Sequence, residues 1–216
     1  MLSRLREVVR PIQNGLATPF VKAKMSPSAV TLLAVPLSLA SAGFCFFGCF
    51  KTSLVFATFA FGMDFIDGAV ARLSCQSTPF GNQLDAVVDR LVEGLVLAGL
   101  ATYYPLTTVI ALTFCTTISY IKARVGLVLV STNDDWPGLG DRTDRVMLML
   151  AAIWALGFSV KLLGVQIAPL FLGLLIIISG IGCCQRLMFA QKLIESAEAE
   201  GRLLPYLKTS VEPSVN

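Results

Sequence analysis

Residues 64–89 read DFIDGAVARLSCQSTPFGNQLDAVVD, and they set four aspartates into sequence that is otherwise apolar. The surroundings decide the fold class. No charged residue lies between Lys24 and Lys51, between Glu93 and Lys122, or between Lys161 and Arg186, and these gaps hold 26, 28 and 24 residues. Each exceeds the roughly 20 apolar residues that carry a helix across a bilayer. Of the 216 residues, 55% are hydrophobic and 14% charged, against about 25% charged in an ordinary soluble domain. The mean hydropathy is +0.74. This composition excludes a soluble globular protein and predicts an all-α polytopic membrane protein.

Six transmembrane helices are expected, over 26–49, 53–73, 82–104, 106–130, 143–160 and 166–190. Lys51 and Thr52, Pro79, Tyr104 and Pro105, the polar stretch STNDDWPGLGDR from Ser131 to Arg142, and Lys161 to Gln166 connect them. These connections carry the Pro, Gly and Asp of turns. The first apolar run is of full spanning length, so the start does not read as a signal peptide. Of the 17 Lys and Arg, 15 fall at the end of the bundle where the chain begins, and only Lys51 and Lys161 fall at the other. The positive-inside rule then puts both termini in the cytoplasm. Ahead of the first span, Leu2, Leu5, Val8, Val9, Ile12 and Leu16 recur among basic residues at near-helical spacing, which predicts an interfacial amphipathic segment bent at Pro11. The expected organisation is a juxtamembrane segment over 1–24, a six-helix membrane domain over 25–195 and a cytoplasmic tail over 196–216.

The chain has no histidine, which excludes histidine bases, Ser-His-Asp triads and histidine-ligated zinc. Its six cysteines show no CxxC spacing and read as apolar packing residues. Acid–base and metal chemistry therefore fall to Asp, Glu, Lys and Arg. A carboxylate at the centre of a membrane helix costs about 2.5–3.5 kcal/mol on insertion scales, so Asp64, Asp67, Asp85 and Asp89, followed by Glu93, require compensation. Asp64 and Asp67 are three apart and Asp85 and Asp89 four apart, so each pair shares a helix face. At about 1.5 Å per residue, both pairs sit roughly 5–15 Å below the connection they share, and they converge on one cavity open to the cytoplasm.

Gly68 lies four after Asp64, Ala71 four after Asp67 and Gly81 four before Asp85, so the acidic faces are flanked by small residues that let a ligand approach the backbone. Arg72 adds one cation at the mouth, and no nearby run supplies enough Lys or Arg to pair four carboxylates. Four carboxylates without imidazole or thiolate suit hard divalent cations, two Mg2+ or Mn2+ rather than zinc. On the residues alone three readings stand: a structural acidic cluster, an ion-coupled transporter, and a metal-dependent enzyme acting on a lipid at the membrane surface. All four Asp lie toward one face, and the chain lacks paired broken helices in two halves; both features count against transport.

The same stretch resembles, without a gap, the signature of the CDP-alcohol phosphotransferase family, D-x2-D-G-x2-A-R-x8-G-x3-D-x3-D. Eight specified residues over 26 positions carry the likeness. SPSAVTLL, with Pro27 and Thr31, resembles the family's Pro-Asn-x2-Thr start to the first span. The resemblance implies a membrane phospholipid synthase that exchanges CMP on a CDP-linked lipid, such as CDP-diacylglycerol or its archaeal ether analogue, for an acceptor alcohol. It implies that Asp64, Asp67, Asp85 and Asp89 form the metal site, the first three holding the metals, and that Asp89 lies near them and is also the general base. Pro27, Thr31, Asp67, Gly68, Ala71, Arg72, Thr78 and Gly81 would shape or contact the CDP-lipid site. An alcohol attacking the β-phosphorus builds charge on phosphoryl oxygens that paired divalent ions stabilise, and a positioned base adds about 10²–10⁴-fold.

SYIKARVG (119–126), GDRTDR (140–145) and CCQR (183–186) resemble the inositol-phosphate-using members. Lys122, Arg142, Arg145 and Arg186 are then expected to grip the acceptor's phosphate. Cations at cytoplasmic helix ends also follow from topology alone, and glycerol-3-phosphate is the alternative acceptor. The partners implied are the CDP-linked lipid, the phosphorylated acceptor, CMP as product, the bilayer and a second copy of the chain in a homodimer, with no nucleic acid. The implied location is the cytoplasmic membrane, with the active site facing inward.

Overall fold

In the computed structural model of the chain, residues 2–129, 136–162, 164–202 and 204 are described, with side chains from Arg10 onward. Among them are seven α-helices. These are α1 (Leu2–Lys22), α2 (Pro27–Phe46), α3 (Phe50–Leu73), α4 (Pro79–Ala101), α5 (Pro105–Val125), α6 (Arg142–Gly157) and α7 (Ala168–Ala199). Proline opens α2, α4 and α5, where its missing N–H has no helical partner to lose. Ser26 and Thr78 cap two of these starts, accepting from Ala29 N at 3.2 Å and Gly81 N at 3.0 Å.

Four helices, α2, α3, α5 and α7, are long and apolar enough to cross a membrane. The expected third and fifth spans coincide with α4 and α6, which fall short for different reasons. Helix α4 carries Asp85, Asp89, Arg90 and Glu93. Helix α6 has 16 residues, about 24 Å of rise against a hydrocarbon core of about 30 Å.

Helix α2 packs against α3 and α4, α5 against α7 and α4, and α6 against α7 and α3, while α1 lies on α3. Small residues permit the close crossings. A Cβ on Gly99 of α4 would stand 2.9 Å from the Ala42 backbone of α2. Ser53 Oγ donates to Ser41 O at 2.8 Å and Ser41 Oγ to Ser53 O at 3.0 Å, a buried reciprocal pair between α2 and α3. Outward-facing Leu39, Phe59, Leu106, Val109, Leu170 and Ile177 give the bundle an apolar exterior suited to lipid.

Several boundaries differ from the sequence expectation. Helix α1 runs as one element through Pro11 and Pro19. The connection at Lys161–Gln166 is an antiparallel hairpin, β1 (Lys161–Leu162) with β2 (Val165–Gln166), in which Lys161 faces Gln166. Helix α7 continues past the expected end at 190 to Ala199, so the stretch assigned to a tail begins as helix. The rest of that tail, apart from 200–202 and 204, and the loop residues Ser131–Asp135 lie outside the described residues.

Candidate active site

Helical spacing turns Asp64 and Asp67 of α3 toward Asp85 of α4. One carboxylate oxygen from each of the three lies within 4.8 Å of the others. Asp67 is buried and accepts a 2.5 Å hydrogen bond from Thr31 Oγ1 of α2. Among the described residues, the buried Asp85 Oδ1 has no hydrogen-bond partner, a position normally satisfied by a donor or an ion. Three converging carboxylates, one with an open lone pair and none displaced by sulfur or imidazole, fit a hard divalent cation.

A cavity of about 280 Å³ adjoins this group. Pro27, Thr31, Asp67, Gly68, Ala71, Arg72, Thr78 and Gly81 all line it, as does Asp85. All eight residues expected to contact the CDP-lipid therefore share one wall system. Ser28, which stands where many family members carry Asn, also lines the cavity, as do Gln76, Ser77 and Asn82; the last three were not anticipated, and their proximity in sequence to Thr78 and Gly81 was the available signal. The N-termini of α2 and α4 both open here, an arrangement that favours anions through free N–H groups and helix dipoles. A Cβ at Gly81 would stand 3.1 Å from Thr78 Oγ1, tightening the cap that holds the start of α4. Arg72 Nη2 donates to Gln13 Oε1 at 3.1 Å, which ties α1 to the cavity rim.

The aspartates have more cationic company than the sequence suggested. Arg142, at the start of α6, pairs with Asp64 and, at 2.5 Å, with Asp89 Oδ1. Long-range packing thus supplies a counter-charge to two of the four carboxylates. Asp89 lines a tight cleft with Asp64, Asp67, Asp85 and Arg142, but its carboxylate is turned to Arg142 and is not one of the three converging groups.

The other expected acceptor residues are distributed around the start of α6. Arg186 pairs with Asp141 and donates to Ile118 O at 3.2 Å. The Lys122 ammonium stands 5.9 Å from the centre of the Trp136 ring. Arg145 is 1% exposed, and all three of its guanidinium nitrogens are engaged, by both oxygens of Glu93 and by Gly140 O. Its burial closes it off from a ligand. Arg90, which the sequence reading passed over, bridges Asp89 and Glu93 at 3.7 and 3.4 Å.

Residues 24–184 match the CDP-alcohol phosphatidyltransferase family. The phosphatidylinositol phosphate synthase of Mycobacteroides abscessus is 34% identical over 171 residues, covering 72% of this chain and 74% of that protein. The archaetidylinositol phosphate synthase of Methanothermobacter thermautotrophicus is 29% identical over 186 residues, 82% of this chain and 86% of that protein. Among solved structures, Mycobacterium tuberculosis phosphatidylinositol phosphate synthase with CDP-DAG bound superposes with a TM-score of 0.69 at 27% identity, over 83% of this chain and 94% of that one. The same enzyme in complex with manganese and citrate gives 0.69 at 27% identity, over 83% and 88%. Fold, motif and carboxylate geometry agree with these likenesses, and the chain belongs to the CDP-alcohol phosphatidyltransferase family.

Proposed function

We propose that this protein transfers a phosphatidyl-type or archaetidyl-type group from a CDP-linked lipid to inositol phosphate, releasing CMP. The observation that carries the reading is the junction of three converging carboxylates with the 280 Å³ cavity at the starts of α2 and α4. Relatives named as inositol phosphate synthases, bacterial and archaeal, support the acceptor. Family membership favours the enzyme over the transporter that intramembrane acids alone would also allow.

In this reading Asp64, Asp67 and Asp85 hold the divalent ions, with Asp89 close by. When bound, such ions stabilise charge on phosphoryl oxygens. The protein's own groups do the rest. The small residues Gly68, Ala71 and Gly81 let the CDP moiety approach the backbone, and Arg72 and Thr78 border its phosphates. Arg142 and Arg186 take the acceptor's phosphate; each keeps a buried Nε without a partner among the described residues, so donor capacity remains beyond the intramolecular pairs. A phosphate seated on Arg142 brings the acceptor's hydroxyl to Asp89, which removes its proton as the new bond to phosphorus forms.

The topology proposed with this function is six spans with both termini cytoplasmic. Helix α4 is the polar span and α6 the short one, and their ion pairs Asp89–Arg142 and Glu93–Arg145 offset charge between them. The active site lies just under the inner surface of the cytoplasmic membrane, where acyl chains remain in lipid while nucleotide and acceptor exchange with water. The membrane domain over 25–195 works as a homodimer, with the amphipathic 1–24 segment lying along the membrane–water boundary and a cytoplasmic tail from 196. The fifteen-to-two distribution of Lys and Arg supports this orientation. The deciding experiment gives purified protein a CDP-lipid with inositol phosphate and glycerol-3-phosphate in parallel. Turnover with inositol phosphate is expected. Turnover with glycerol-3-phosphate alone would leave the reaction class standing and make the acceptor wrong.

A further inference from the structure

Two ion pairs join α4 to α6, one helical turn apart. The first is Asp89 with Arg142, at 2.5 Å. The second is Glu93 with Arg145, whose Nη2 donates to Glu93 Oε1 at 2.9 Å and Nε to Oε2 at 3.3 Å. Glu93 follows Asp89 by four residues and Arg145 follows Arg142 by three, so each helix offers both members on one face. The second pair is deep, with Glu93 2% and Arg145 1% exposed. Arg145 Nη1 also donates to Gly140 O at 2.8 Å. Gly140 has φ +72°, and a Cβ there would meet Ile118 at 3.0 Å and Ile178 O at 3.1 Å. Its N–H donates to Asp144 Oδ2 at 3.1 Å. The turn secured in this way carries Asp141, the partner of Arg186, and then Arg142.

We propose that the Glu93–Arg145 pair is a positioning device for the acceptor side of the site. It sets the first turn of α6 against α4, and thereby orients Arg142 and Arg186 relative to Asp89. The inference rests on the function proposed above. A buried ion pair is a weak source of net stability, because desolvation offsets its attraction. A two-pronged guanidinium–carboxylate contact, in contrast, fixes direction as well as distance. Arg145 is closed off from substrate by its burial at 1% exposure, so it acts through its neighbours.

The test uses Arg145→Lys, which keeps the charge but loses the fork, and Glu93→Gln, which keeps the shape but loses the charge. Full-length protein is purified with divalent metal, and KM is measured separately for the CDP-lipid and for inositol phosphate. A misplaced Arg142 raises the acceptor KM by about tenfold or more, and a misplaced Asp89 lowers kcat. The CDP-lipid KM stays within about twofold. KM does not depend on how much protein is folded, so a purely structural loss lowers apparent kcat alone. If Glu93→Gln fails to fold, the conservative Arg145→Lys carries the test. An acceptor KM unchanged in the folded variants, with active wild type, overturns the inference and leaves the proposed function intact. Wild type that turns over neither phosphorylated acceptor overturns the function, and the inference with it.

Discussion

Arg142 Nη2 lies 2.5 Å from Asp89 Oδ1 while Nη1 of the same side chain pairs with Asp64. One guanidinium at the start of α6 thus reaches both an aspartate of the converging group and the proposed base. In the proposed function this guanidinium takes the acceptor's phosphate. Loss of a contact to a charged group is worth about 1.5–3 kcal/mol, or roughly 10- to 150-fold. Arg142→Ala and Arg186→Ala are therefore expected to raise the KM for inositol phosphate by that order, with the CDP-lipid KM little changed. Wild type should use unphosphorylated inositol poorly. Equal use of the two would mean that these cations do not bind phosphate.

The aspartates separate into two classes of expected phenotype. Asp64→Asn, Asp67→Asn and Asp85→Asn remove charge from the converging group, and each should abolish turnover and weaken Mn2+ binding. Asp89→Asn should lower turnover by about 10²–10⁴-fold while retaining more CDP-lipid binding. Metal titration and CDP-lipid binding, measured separately from catalysis, distinguish the classes. Asp89→Asn losing metal as completely as Asp85→Asn would make metal binding, rather than proton removal, the main role of Asp89.

Thr31 gives a finer test, because it holds Asp67 from a different helix through a 2.5 Å bond. Thr31→Val keeps the shape and removes the donor. Groups that orient a metal ligand in this way are worth about 10- to 100-fold in metal affinity or activity. A reduction of that size in Mn2+ affinity is expected, and an unchanged affinity would confine Thr31 to packing.

Much of this site was legible in sequence because its logic is local. Asp64, Asp67, Gly68, Ala71 and Arg72 lie on one helix, and Thr78, Gly81, Asp85 and Asp89 belong to the next helix and its cap. Helical periodicity alone aligns each set, and the short connection between them turns the sets together. The charge partners were not legible, because pairing between α4 and α6 depends on how distant helices pack. Glu93 read as one more unexplained acid and Arg145 as one more phosphate ligand, whereas they meet each other. Arg90 gave no signal apart from its charge. The hairpin at Lys161–Gln166 has two residues in each strand, too few for an alternating pattern.

Topology has its own test. In a background without native cysteines, Cys introduced at 51 and 161 should react with an impermeant thiol reagent applied from outside intact cells. A Cys at 138, beside the start of α6, should not. Labelling at 138 with protection at 51 and 161 would invert the orientation.

The most direct measurement of the central claim is CMP release by purified protein given CDP-lipid and inositol phosphate, before and after chelation of divalent metal. The expected result is CMP formed in equal amount with a phosphorylated inositol lipid, stopped by chelation and restored by Mg2+ or Mn2+. CMP release that persists after complete chelation, or no release with any phosphorylated acceptor in the presence of metal, would contradict the account.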